Sequence, residues 1–241
     1  GAEVARVGRA GDLEVLRGLG RVFEAVFVHL GDFAQGLGAA AMMAGHPNET
    51  SPLGLRNLPF AIFMGGKDAA YSRNKVAAEW GEKLADLKRR DPDGYTHMVK
   101  IFPDKGHWMD REDAVAIPWM AQQVRNPLPT KIVWKQDDVT HGRYYWLAVE
   151  PEQRKQGTEV VATRDKQTID LHADHVQRLT IRGNDRMFDL DQPVVVTRDG
   201  KPLATATLRR SIAVLDKTLS ERGDPKSVFS AELTVTLPAA E

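Results

Sequence analysis

Leu58–Asn74 reads LPFAIFMGGKDAAYSRN, and the fold turns on how this stretch is understood. An apolar run from Pro59 to Met64 stops at Gly65 and Gly66, and Asp68 follows one lysine later. A short apolar run bounded by turn residues and hydrophobic on both faces fits a strand of a parallel sheet covered by helices. Just downstream, Val76, Trp80, Leu84 and Leu87 recur at helical spacing, which predicts an amphipathic helix capped by Ser72 or Asn74. Lys88, Arg89 and Arg90 suit its C-terminal dipole, and DPDG ends it. YTHMVKIF (Tyr95–Phe102) then predicts another strand, PDKGHWMD a loop, and REDAVAIPWMAQQVRN (Arg111–Asn126) a helix that Pro118 kinks or splits. Upstream, Ala39–Ala44 predicts a buried strand, with the NETSPLGLRNL loop between it and the run at Pro59.

Residues 38–126 therefore run strand, loop, strand, helix, strand, loop, helix, the grammar of a parallel α/β sheet. From Lys131 the grammar changes. KIVWK, RYYWLAVE, TEVVATR, QTIDLHA, HVQRLTIRG, QPVVVTRDGKPLATATL and VFSAELTVTL are short runs of β-branched and aromatic residues separated by turns. Asp199-Gly200 between two of them predicts a tight hairpin, and SIAVLDKTLSER is the one helix-like insertion. The expected fold class is a partial α/β sheet with helices at 38–126, a linker at 127–130 and an all-β, sandwich-like domain at 131–241. Residues 1–37, rich in Gly, Val and Arg, are left without an assigned fold.

Composition narrows the function classes. Thirty-three basic residues balance thirty-three acidic ones, so no basic field is expected to hold nucleic acid or an anionic membrane. No run of apolar residues reaches spanning length. Cysteine is absent, which excludes disulfides and thiolate metal sites and leaves the compartment open. The first residues carry no long apolar stretch after a basic start, so no signal peptide is expected in them, and a chain that starts at Gly rather than Met reads as a fragment. No cofactor is expected.

In open parallel sheets, functional groups gather in loops at the carboxyl ends of strands. GHPNE, GGKDAAY and DKGHWMD are such loops, and they offer His46, Asp68 and His107. A carboxylate that accepts the Nδ1–H of an imidazole fixes its tautomer and stabilises the imidazolium formed in general-base catalysis. Asp68 and His107, one helix–strand unit apart, are expected to form that pair, with Gly65, Gly66 and Gly106 turning the backbone sharply beside them. The competing expectations are a turn or helix-capping role for Asp68 and a structural loop histidine for His107. His46 and Asn48 are candidates for a substrate-binding rim, although a turn before Pro47 accounts for His46 more simply. His172, Asp174 and His175 of LHADH tempt a metal reading; solvated polar residues are the better expectation, because His175 faces away from the other two on a strand. Asp110, Arg111, Glu112 and Asp113 are expected to favour a helix N-terminus, and Trp134, Tyr144, Tyr145 and Trp146 to pack in a core rather than form an exposed binding platform.

Strand, GGKD, helix, strand, GH in this order resembles the C-terminal part of an α/β-hydrolase, of the esterase, dienelactone-hydrolase-like or prolyl-oligopeptidase-like kind, over residues 38–126. The resemblance implies a catalytic triad with Asp68 as acid and His107 as base, acting on an ester or peptide bond of a small-molecule or peptide substrate. The second half resembles the β-sandwich extensions that follow such domains in some bacterial hydrolases. The sequence departs from the family in lacking the earlier strands, which would help supply the oxyanion hole, and the nucleophile. The nucleophile motif G-x-S-x-G is absent: Ser51, Ser72, Ser211, Ser220, Ser227 and Ser230 all lie in other contexts. The chain thus resembles the back half of a hydrolase domain, inactive alone, and the alternative is a non-catalytic binding module built on the β-rich half. The first strand would then have an open apolar edge, expected to be covered by EAVFVHL (residues 24–30) or to drive self-association.

Overall fold

The run at Phe60 is buried on both faces because it becomes the middle strand of a three-stranded parallel sheet. The computed structural model describes residues 7–8, 12–13, 37–48 and 50–238, and the chain divides into two compact units, residues 1–126 and 127–241. In the first unit, β1 (Val7–Gly8) and β2 (Asp12–Leu13) form a short antiparallel pair. The parallel sheet has the order β3 (Ala40–Met43), β4 (Phe60–Gly65), β5 (His97–Phe102), with Ala40 opposite Phe60 and Phe60 opposite His97.

Alternation along β4 divides its side chains between two clusters. Phe60, Ile62 and Met64 pack with Ala77, Trp80, Leu84 and Leu87 of α1 (Arg73–Arg90). Ala61 and Phe63 pack on the other side with Met109, Ala116 and Met120. The predicted stripe of α1 is thus the buried one, with Val76 only partly covered. Full burial of a leucine such as Leu84 stabilises by about 2 kcal/mol.

Two local expectations are corrected. Ser72 occupies the N-cap position of α1 at φ 56° without a capping hydrogen bond from its side chain, and Asn74 lies inside the helix and reaches back to Gly66 O instead. The helix expected at 111–126 is shorter. Met109, Asp110 and Arg111 have φ of 47°, 50° and 67°. Left-handed residues cannot propagate a right-handed helix, so Met109–Val115 forms interrupted 3₁₀ turns and α2 spans Ala116–Ala121. Pro118 neither kinks nor splits it. It lies in the first turn, where an N–H has no intrahelical acceptor. Asp110 and Glu112, expected to favour a helix start, pair with Lys105 at 2.8 and 2.9 Å.

The second unit holds β6 (Lys131–Lys135), β7 (Arg143–Tyr144), β8 (Leu147–Ala148), β9 (Glu159–Asp165), β10 (Thr168–Asp174), β11 (Arg178–Gly183), β12 (Pro193–Arg198), β13 (Lys201–Thr207), α3 (Ile212–Arg222) and β14 (Ala231–Thr236). Five strands form a mixed sheet, β13-β12-β10-β9-β6, in which β10 and β12 run parallel. Four form an antiparallel sheet, β14-β11-β8-β7. Ile132, Leu171 and Val194 from the first sheet and Leu147, Ile181 and Val235 from the second belong to one hydrophobic cluster.

RYYWLAVE is not one strand. Tyr145, at φ 53°, and Trp146 make a tight turn between β7 and β8, placing Tyr144 opposite Leu147. Trp134, Tyr144, Tyr145 and Trp146 are all buried, so they form no exposed platform. Trp134 stacks on Tyr144, and Trp146 Nε1 donates to Pro129 O at 2.7 Å. Asp199 and Gly200, at φ 51° and 74°, make the β12–β13 hairpin turn with the positive φ pair it requires. α3 starts at Ser211, whose hydroxyl accepts from Val214 N, and ends at Gly223 in the left-handed region.

Candidate active site

The loops after β4 and β5 are joined backbone to backbone. Gly66 N donates to Phe102 O at 2.7 Å and Lys67 N to Lys105 O at 2.9 Å. This contact explains the two glycines differently from the sharp turn expected of them. A Cβ on Gly65 would stand 2.1 Å from Gly106 O, and one on Gly66 would stand 2.8 Å from Pro103 Cα. Gly106 has no such neighbour and no positive φ. Glycine is therefore needed at Gly65 and Gly66 to let the loops meet.

That contact brings Asp68 and His107 together. His107 Nδ1 donates to Asp68 Oδ2 at 2.8 Å across 39 positions of sequence. The Asp68 side chain is 4% exposed and the His107 ring 39%. With Nδ1 committed to the carboxylate, Nε2 is the basic nitrogen, on a ring that solvent reaches.

Asp68 has a second partner, which the sequence reading missed. Arg73 Nη1 donates to Asp68 Oδ1 at 2.9 Å, and its guanidinium carbon lies 5.1 Å from the centroid of the Tyr71 ring. Asn74 fixes the same loop: its N–H donates to Asp68 O at 3.1 Å and its Nδ2 to Gly66 O at 2.8 Å. The start of α1 is thus tied to the carbonyls on either side of Lys67. The signal in the sequence was an Arg-Asn pair at the first turn of the helix that follows Asp68, read there only as a helix start.

On the far side of the pair, Trp108 meets the His107 ring edge to face at 5.2 Å. Tyr71 and Trp108 are 82% and 76% exposed. Non-glycine residues with positive φ flank the pair at Tyr71, Ser72, Met109, Asp110 and Arg111. Strained backbone of this kind persists only where its surroundings fix it. Lys105 helps to do so: its hydrogen bonds to Asp110 and then Glu112 hold its ammonium well above the ordinary lysine range.

His46 and Asn48 follow β3 at the same end of the sheet. Asn48 N donates to His46 Nδ1 at 2.9 Å, a local turn, and no hydrogen bond among the described residues joins either to Asp68 or His107. Nor does a serine hydroxyl among the described residues hydrogen-bond to His107. Ser51 accepts from Leu53 N, and Ser72 heads α1.

In LHADH, His172 Nδ1 donates to Asp199 Oδ1 at 2.8 Å. That bond, assisted by the charges of Asp199, Asp174 and Glu159 and opposed by slight burial, raises His172 above the ordinary histidine value. Among the described residues, no three His, Asp or Glu side chains are grouped so as to hold a metal ion. No described helix is long and apolar enough to cross a membrane, and EAVFVHL lies outside the described residues.

Comparison of the chain with protein-family models, with curated proteins and with solved structures returned no match.

Proposed function

We propose that residues 38–126 carry the acid and the base of a serine-hydrolase triad, in an arrangement of the α/β-hydrolase kind, directed at ester or amide bonds. The observation that carries this is the 2.8 Å bond from His107 Nδ1 to Asp68 Oδ2, made between loops that leave adjacent parallel strands at their carboxyl ends. In this reading Asp68 orients the ring, and His107 Nε2 takes the proton of a serine hydroxyl as its oxygen attacks the carbonyl carbon. The imidazolium then returns that proton to the leaving alcohol or amine, and water repeats the cycle to release the acid. The serine is not among those of this sequence, because none lies in a nucleophile elbow. The chain by itself forms no acyl-enzyme.

A fluorophosphonate probe, which labels only an activated serine, tests this directly. No serine of this chain is expected to react, and stoichiometric labelling would overturn the reading. The coding sequence in frame and upstream is expected to contain G-x-S-x-G after a strand, and a frame without one counts against the proposal. In a chain that includes that serine, Asp68→Asn is expected to lower kcat by on the order of 10⁴-fold.

A further inference from the structure

A carboxylate as enclosed as Asp68 needs compensation at both oxygens, because an unpaired buried charge is costly. His107 serves Oδ2 and Arg73 serves Oδ1, at 2.8 and 2.9 Å. The division has a chemical consequence. Were the imidazole the carboxylate's only partner, the buried negative charge would be balanced only by an imidazolium. An imidazolium has no lone pair with which to accept a proton. With the guanidinium in contact, Asp68 and Arg73 sum to zero charge, and a neutral imidazole leaves nothing unbalanced.

The setting holds Arg73 to this task. It is the first residue of α1, its side chain is 19% exposed, and its guanidinium is stacked on Tyr71. Its neighbour Asn74 ties the same turn to Asp68 O and Gly66 O. The stack also accounts for an aromatic residue held at φ 53° on the surface: from there its ring covers the guanidinium.

We infer that Arg73 is a positioning residue for the Asp68–His107 pair, fixing the carboxylate and supplying its counter-charge so that a neutral imidazole beside it leaves no buried charge unbalanced. The inference rests on the reading of His107 as a proton acceptor given above. Of the other charged groups on these loops, Lys67 pairs with Asp104 and Lys105 with Asp110 and Glu112, and Arg111 and Asp113 complete the set. They stay constant in the variants below.

The test follows the His107 Cε1–H resonance against pH by NMR in the full chain. Arg73→Gln keeps a hydrogen-bond donor for Oδ1 and removes the charge. The pH midpoint of His107 is expected to rise by about 1 unit in Arg73→Gln and to stay near the native one in Arg73→Lys. An unchanged midpoint in a folded Arg73→Gln protein would overturn the inference. Should that variant not fold, Asp68→Asn answers the same question. Arg73 then faces the ring without a carboxylate between them, and adding Arg73→Gln to that variant is expected to raise the midpoint; an unchanged midpoint would also overturn the inference. Neither titration depends on a nucleophile. Fluorophosphonate labelling of this chain would defeat the proposed function and leave this result standing, and an unchanged titration would do the reverse.

Discussion

At the scale of single residues, the site depends on an atom that Gly65 lacks. Gly65→Ala would set a Cβ 2.1 Å from Gly106 O and 2.7 Å from Lys105 O, both backbone atoms that cannot swing aside. The variant is expected to lose about 3 kcal/mol in urea unfolding and to separate His107 from Asp68. Gly106→Ala is the control. Its Cβ would meet nothing within 4 Å, and stability is expected to hold or to rise by about 0.5 kcal/mol. The pairing of Asp68 with His107 was legible in the sequence because each lies in the loop after a strand, and the carboxyl ends of strands in a parallel sheet share one side. Arg73 and Asn74 were not. Their direction depends on where α1 begins, which is set by Tyr71 and Ser72 in the left-handed region, and neither residue type marks that conformation. The same blindness hid the turn at Tyr145.

At the scale of elements, Arg182 joins three of them. From β11 it donates to Glu221 of α3 at 2.6 and 3.0 Å and to Glu232 of β14 at 3.0 Å, and it is 2% exposed. Arg182→Met removes the cation, while Glu221 keeps Arg143 at 3.7 Å and Glu232 keeps Lys217 at 3.2 Å, so it is expected to cost about 2 kcal/mol in chemical unfolding. The loss has a pH dependence of known sign. Burial pushes the Glu221 carboxyl up, but the hydrogen bond from Arg182 and the charges of Arg182, Arg143 and Lys217 outweigh it, and the net shift is downward. A carboxyl lowered on folding contributes stability above its ordinary range, and that contribution vanishes as pH falls through its folded value. Arg182→Met is therefore expected to resemble the native chain most closely in acid. Sequence periodicity revealed α1 because one stripe of four residues meets one sheet face. It failed for α2 because an apolar pattern carries no record of a left-handed residue such as Arg111 at the expected start, nor of the end at Ala121.

At the scale of the whole chain, the change of pattern near Pro127 and the division into units fall at the same place. The cluster that unites the two sheets of the second unit draws on residues from Leu128 to Leu237. Residues 127–241 expressed alone are expected to fold, with dispersed methyl resonances and a single cooperative transition. Broad, undispersed spectra would show that this core needs the first unit. The parallel pairing of β10 with β12 inside this unit was not legible, because strand direction leaves no trace in alternation. In the first unit β3 and β5 each pair only with β4 among the described residues, so the sheet that presents Asp68 and His107 is narrow. What binds the two site loops across its end is peptide hydrogen bonding, Gly66 to Phe102 and Lys67 to Lys105. Such bonds do not depend on side-chain identity except through the room that glycine leaves. The approach of the loops is thus indifferent to most of what surrounds Asp68 and His107. Exposed side chains such as Lys67 and Trp108 can therefore vary while the bond between His107 and Asp68 stays intact.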